Sequence, residues 1–141
     1  MTCCEKSAVQ LAGQREEMLW NPGCRLPWRL RSRSGKEICW DGHAPAQIQL
    51  NPGKIYTVQY TLNVSAAPPA EGAILLRQSP CGVLTDALPL RFSIGCQRQT
   101  LHYAAVLHPC ASNRCSVELS LVLDARTSVC VEQAVMDVIE L

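Results

Sequence analysis

The stretch KIYTVQYTLNV, from Lys54 to Val64, decides the fold class of this chain. Apolar and polar residues alternate strictly over its last nine residues, where the apolar set is Tyr56, Val58, Tyr60, Leu62 and Val64. Such alternation is typical of a strand with one buried and one solvated face, and β-branched and aromatic residues suit that surface. The buried face of such a strand requires a second sheet or a closed barrel to cover it.

Further strand patterns recur along the chain at roughly ten-residue spacing, separated by turn signals. The clearest runs are Gly72–Gln78, Leu88–Ile94, Thr100–Leu107, Ser116–Leu123 and a final strand, Ala134–Leu141. Pro89 marks its run as an edge strand or the start of a strand, because proline cannot donate to a sheet. Long amphipathic helices are absent from the pattern, so the sequence predicts an all-β antiparallel sandwich or barrel.

Composition fits one folded domain and gives no global charge signal. The chain has 141 residues, of which 48% are apolar and 18% charged, and its net charge is +1. We therefore expect no nucleic-acid partner and no membrane insertion. The first residues, MTCCEKSAVQ, do not resemble a secretory signal, so none is expected.

The N-terminal segment has poor periodicity and many polar residues. We interpret residues 1–20 as a flexible connector arm, or at most a short helix over Ser7–Leu19, and residues 21–141 as the β domain. A basic run follows the arm, and its members are Arg25, Arg29, Arg31, Arg33 and Lys36. Two interpretations stay open for this run: a surface for an anionic partner, or the solvated face of an edge strand whose charges block edge-to-edge pairing.

Cysteine is the unusual component of the sequence. The chain contains Cys3, Cys4, Cys24, Cys39, Cys81, Cys96, Cys110, Cys115 and Cys130. A reduced protein would hold them as buried thiols or metal ligands, whereas an oxidised protein would pair them and leave one for a partner chain. A zinc site would use His102, His108, Cys110 and Cys115, but their spacing lacks the usual ligand pair. No catalytic signature is present, so we expect neither an enzyme nor a cofactor.

The last residues, AVMDVIEL from Ala134 to Leu141, resemble the closing strand of bacterial TNF/C1q-like jelly-roll domains. Those domains cap collagen-like exosporium and surface proteins of spore-forming bacteria. Met136 stands where that family typically has leucine, and Val138-Ile139 forms the central pair. The earlier stretch resembles the same family at Leu50, Pro52-Gly53, Tyr56, Val58 and Tyr60. The resemblance covers residues 47–141 and implies an antiparallel jelly roll with a structural or surface role.

The arm with its vicinal Cys3-Cys4 pair is similar in layout to endospore appendage (pilus) subunits. In that group the connector forms disulfides with other subunits of a helical filament. The similarity implies Cys3 and Cys4 as intersubunit disulfide donors, with Cys39, Cys130 and Cys24 as acceptors. Within one chain, Cys110 could bridge to Cys115 across a short loop, and Cys81 could pair with Cys96 if the chain folds back between them.

The sequence thus leads to one expected function and one alternative. We expect a structural subunit that self-assembles into a disulfide-cross-linked fibre, outside the cell or on a bacterial spore surface, after synthesis in a mother-cell cytoplasm. The alternative is a trimeric TNF/C1q-like binding module at a bacterial or spore surface. A heterologous contact that does not close into a ring generates a fibre, whereas a closed threefold contact generates a trimer.

Overall fold

The computed structural model describes residues 6–80, 85–86, 89–109 and 116–141, and these residues contain strands but no helix. The part of the chain that is described therefore has no helix that could cross a membrane. The strands are β1 (Ala8–Gly13), β2 (Met18–Trp20), β3 (Trp28–Ser34), β4 (Ile38–Trp40), β5 (Ile48–Leu50), β6 (Tyr56–Ser65), β7 (Ala70–Pro80), β8 (Thr85–Asp86), β9 (Leu90–Ile94), β10 (Gln99–Leu107), β11 (Val117–Ala125) and β12 (Val129–Glu140).

The strands form two antiparallel sheets. Sheet A has the order β10-β6-β12-β1-β3, with β2 paired to β12. Sheet B has the order β4-β5-β11-β7-β8, with β9 paired to β7. The prediction of an all-β antiparallel sandwich is confirmed.

The stretch that decided the fold class forms the body of strand β6, between β10 and β12 in sheet A. The five alternating apolar side chains from Tyr56 to Val64 are each at most 1% exposed. They face the core of the sandwich, together with side chains of sheet B such as Leu119 and Leu121. Burial of these side chains is the main stabilising contribution to the domain, at about 1.5–3 kcal/mol for each large one.

The expected arm over residues 1–20 is corrected from residue 8 onward. Strand β1 lies inside sheet A, where it pairs with β12 on one side and β3 on the other. Its Val9 and Leu11 belong to the buried core. Strand β2 then pairs with the start of β12, so Ser7–Leu19 is not helical. Residues 1–5 lie outside the described part of the chain.

The basic run and Pro89 both lie at sheet edges. Strand β3, which carries most of the basic run, is one of the two edge strands of sheet A; the other is β10. Strand β9 follows Pro89 and pairs only with β7 among the described strands. Both positions agree with the sequence, because exposed arginines and an adjacent proline discourage pairing with a further chain.

The long strands give the sandwich two distinct ends. At one end, which we call the termini end, Leu141 donates its N–H to the Ile55 carbonyl at 2.8 Å, and Lys6 lies beside Leu141. At the other, which we call the groove end, Cys130 at the start of β12 pairs with Ser65 at the end of β6. A rise of about 3.3 Å per residue along β12 separates these ends by about 30 Å.

Candidate functional site

The outward face of sheet A carries an apolar patch at the termini end. Val106 on β10 and Ile139 on β12 both pair with Thr57 of β6 and therefore flank it in one row. Their side chains are 54% and 39% exposed. Directly cross-strand neighbours lie about 5 Å apart, so the two side chains stand about 10 Å from each other.

Ile55 and Leu141 extend this row at the strand ends, where a backbone hydrogen bond joins them. We call Ile55, Val106, Ile139 and Leu141 the apolar patch. They are four of the five large hydrophobic side chains that are exposed in the described residues; the fifth, Leu19, lies at the groove end. Exposed apolar side chains that cluster on one face are typical of interaction surfaces, whereas scattered ones are not.

The patch was not predicted from the sequence, although a signal was present. Leu101, Tyr103, Ala105 and Leu107 set the inward phase of β10, so Val106 is an apolar residue in the outward phase. Ile139 is likewise an apolar residue in the outward phase of β12, since its neighbour Val138 points into the core. An apolar residue in the solvent phase of a strand is the pattern that indicates such a surface.

The groove end carries a second feature, a groove of about 510 Å³ with two cysteines on its walls. Cys130 reaches it from β12, and Cys96 reaches it from the turn between β9 and β10. Ala66 donates its N–H to the Gly95 carbonyl at 2.8 Å, which holds the Cys96 turn against the end of β6. The same end of β6 pairs with Cys130 through Ser65.

All four described cysteines have free thiols. Cys24, Cys39 and Cys96 are exposed, and Cys130 is partly buried. Cys24 lies at the groove end, where its carbonyl accepts a hydrogen bond from the Trp20 indole at 2.8 Å. The remaining predicted site residues lie outside the described part of the chain, so bridges through them stay predictions; they are Cys3, Cys4, Cys81, Cys110 and Cys115.

The zinc interpretation finds no support among the described residues. They contain no group of three or more His, Cys, Asp or Glu side chains placed to hold a metal ion. His102 instead shares a hydrogen bond of 2.9 Å with Thr61 across two strands of sheet A. The two cysteines of that proposed site, Cys110 and Cys115, lie outside the described residues.

Two buried tyrosines with high pKa values lie on β6. Burial, together with the charge of Glu37, raises the pKa of Tyr56 to about 12. Burial also raises the pKa of Tyr60, whose ring stacks on that of Tyr103 with centroids 5.3 Å apart. Both hydroxyls are neutral at physiological pH, so they act as packing and hydrogen-bonding groups rather than as bases.

Comparison by sequence does not place the chain in a family. No protein-family model matches it, and no curated protein matches it.

Comparison of structures, in contrast, shows the fold. The chain is similar to murine APRIL at pH 5.0, with a TM-score of 0.69, 11% identity, and coverage of 97% of this chain and 100% of that one. It is similar to Eiger TNF from S. frugiperda, with a TM-score of 0.72, 13% identity, and coverage of 96% and 92%. PRD1 vertex protein P5 is a more distant match, with a TM-score of 0.50, 16% identity, and 96% coverage of both chains.

These matches span nearly the whole chain, so the two-sheet sandwich is a TNF-like jelly roll. The jelly-roll prediction is confirmed. At these identities the likeness establishes the fold alone, and function has to be argued from the surfaces of this chain.

Proposed function

We propose that this chain is a self-associating, non-enzymatic binding module, a trimer of TNF/C1q-like jelly rolls at a bacterial or spore surface. The observation that carries the proposal is the apolar patch on the outward face of sheet A. The threefold symmetry comes from the resemblance to TNF/C1q-like heads, which implies a trimeric module. The location comes from the resemblance to spore-surface proteins.

The patch suits contact with a second copy because of its composition and position. Its four side chains cluster around Thr57, and a copy would remove their apolar surface from water at about 25 cal/mol per Å² buried. Lys6 and the buried Glu140 form an ion pair of 3.7 Å at its border, so charge stays at the rim of the contact. A polar rim around an apolar centre is the usual arrangement of protein interfaces.

Size-exclusion chromatography with light scattering tests the proposal. We expect the purified protein to have three times the 15.5 kDa mass of one chain, with or without reductant. The double variant Val106→Lys/Ile139→Lys places two charges in the centre of the patch and should have the mass of one chain. Unchanged far-ultraviolet circular dichroism would show that the variant is folded.

Leu19→Lys is the matched control. Leu19 is the most exposed large hydrophobic side chain, at 70%, and lies at the groove end, away from the patch. This variant should keep the mass of the wild type. A wild-type protein that is monomeric at micromolar concentration, or a double variant that still assembles, would contradict the proposal.

The second candidate function is the disulfide-linked fibre, and the geometry of the two ends favours it. The similar structures give it no support; it rests on the free thiols. Lys6 lies at the termini end, and a fully extended chain from there carries Cys3 at most about 11 Å. Cys130 is about 30 Å away at the groove end. Any bridge between Cys3 or Cys4 and Cys130 therefore joins two copies head to tail.

Cys39, in contrast, lies near the termini end. It lies two residues after Glu37, whose N–H donates to the Ser7 hydroxyl at 2.8 Å, so it is near the chain's own N-terminal end. The fibre hypothesis thus predicts that Cys24→Ser/Cys130→Ser abolishes the ladder of oligomers on non-reducing electrophoresis, whereas Cys39→Ser does not. A ladder that persists in Cys24→Ser/Cys130→Ser would exclude these head-to-tail bridges.

A further inference from the structure

We infer that the outward face of sheet A, beside its β3 edge, binds a sulfated polysaccharide through Arg15, Arg29 and Arg31. The inference names a ligand class for the proposed binding module and rests on that part of the proposed function. It does not depend on the number of subunits, since the site lies within one chain.

The arginines of β3 are available to an external partner. Arg29, Arg31 and Arg33 are all exposed on the outermost strand of sheet A. The register of β3 against β1 shifts at Arg31, between the pairs Gln10–Ser32 and Leu11–Leu30. None of the three takes part in an ion pair within the described residues, in contrast to Lys6 and Arg98, which pair with Glu140 and Glu132.

Two of these arginines converge with a third on a shallow groove of about 240 Å³. Arg29 and Arg31 line one wall and Arg15, from the turn after β1, lines the same groove. Glu132 also lines it, but its carboxylate is already paired with Arg98. Glu16 is the remaining acidic side chain on the wall, so positive charge predominates there.

Placement on one face suits a ligand with repeated charges. Arg29 and Arg31 are about 7 Å apart at 3.3 Å per residue on the outward face, where Arg15 lines the same groove. Arg33 pairs with Val9 beyond the register shift and therefore lies in the inward phase of β3. The guanidinium group is a planar fork that binds oxyanions through two parallel hydrogen bonds. A polymer with a sulfate group every few ångströms would engage the groove and the strand edge together.

The absence of an exposed aromatic platform argues against single-stranded nucleic acid. Base stacking on aromatic side chains is a major part of such binding. Trp28, the aromatic residue within the basic run, is fully buried. The exposed large hydrophobic side chains of the described residues are aliphatic. The surface therefore offers charge and hydrogen bonds, which a sulfated sugar chain satisfies without bases.

Heparin, as a sulfated polysaccharide of defined charge, is the probe for a binding experiment. We expect the full chain to bind heparin with an affinity that falls as salt rises, and Arg15→Gln/Arg29→Gln/Arg31→Gln to bind on the order of tenfold more weakly. The matched control is Lys54→Gln/Arg91→Gln/Arg126→Gln, which removes the same charge from exposed positions off β3. It should keep nearly the wild-type affinity.

Each other outcome would overturn the inference. Equal losses in both triple variants would show attraction to net charge alone, and no heparin binding by the wild type would exclude the site. Equal affinity for single-stranded DNA or polyphosphate would show that sulfated sugar is not the preferred ligand. Light scattering on the same samples separates the proposals, because a trimer that ignores heparin contradicts only this inference.

Discussion

Ser7 and Glu140 join the two ends of the chain through a reciprocal pair of hydrogen bonds. The Ser7 N–H donates to Glu140 Oε1 at 3.0 Å, and the Glu140 N–H donates to the Ser7 carbonyl at 2.8 Å. Both residues are buried, so the carboxylate lies largely out of water. The pair fixes the start of the described chain beside the apolar patch.

Replacement of this buried carboxylate should destabilise the domain. Glu140→Ala leaves the Ser7 N–H without its side-chain acceptor and should lower the free energy of unfolding by about 1–3 kcal/mol. The exposed Lys6 partner contributes little to this loss. Urea unfolding measures the effect, with Asp137→Ala, a half-buried residue of the same strand, as the control. Equal stability of Glu140→Ala and the wild type would contradict the assignment.

Alanine substitutions at Gly35 and Gly23 distinguish the cost of backbone strain from the cost of steric crowding. Both glycines have positive φ angles, 71° and 77°, which other residues adopt at a cost. A Cβ on Gly35 would also overlap Ser7, whereas one on Gly23 would meet open space. Gly35→Ala should therefore lose roughly 1–3 kcal/mol more stability than Gly23→Ala. Equal losses of unfolding free energy in the two variants would show that Ser7 moves aside for the new Cβ at no energetic cost.

The two buried tyrosines of β6 should respond oppositely to loss of their hydroxyls. Tyr56 donates its hydroxyl hydrogen to the Asn51 carbonyl at 2.7 Å, so Tyr56→Phe should cost about 1 kcal/mol. The Tyr60 hydroxyl is buried and has no hydrogen-bond partner among the described residues. Tyr60→Phe should therefore be neutral or stabilise by up to about 1 kcal/mol. Thermal unfolding of the two variants decides the sign.

The fold could be predicted because strict alternation sets which side chains of a strand are buried. Strand β6 shows this best, since all its apolar residues face the core. Strand β1 was missed for a physical reason. Its last two residues, Ala12 and Gly13, lie on opposite faces of the strand, yet both are buried. Because both are small, the sequence shows no clear alternation of apolar and polar residues there. Its burial depends on β3 and β12, which flank it from distant parts of the sequence.

The candidate surfaces could not be predicted in the same way, because they depend on strand order. Val106 and Ile139 are neighbours only because β10 and β12 both pair with β6. The thiols of Cys96 and Cys130 share a groove for the same reason. Connectivity between strands follows from tertiary packing, which local periodicity does not encode.

Alkaline pH should destabilise the domain through the same tyrosines. In the unfolded chain each tyrosine ionises near its usual pKa of 10, whereas in the folded chain the pKa of Tyr56 is about 12 and that of Tyr60 is also raised. The folded state therefore keeps protons that the unfolded state loses, so the tyrosine contribution to stability is fully present below the unfolded pKa and falls as the pH rises toward 12. Urea unfolding at pH 8, 10 and 11 measures the slope of stability against pH, and absorbance at 295 nm follows the ionisation of the tyrosines.

Tyr56→Phe/Tyr60→Phe should show a shallower fall in stability over this range, because the phenylalanines bind no proton in either state. An identical slope in the wild type and the double variant would contradict the assigned cause.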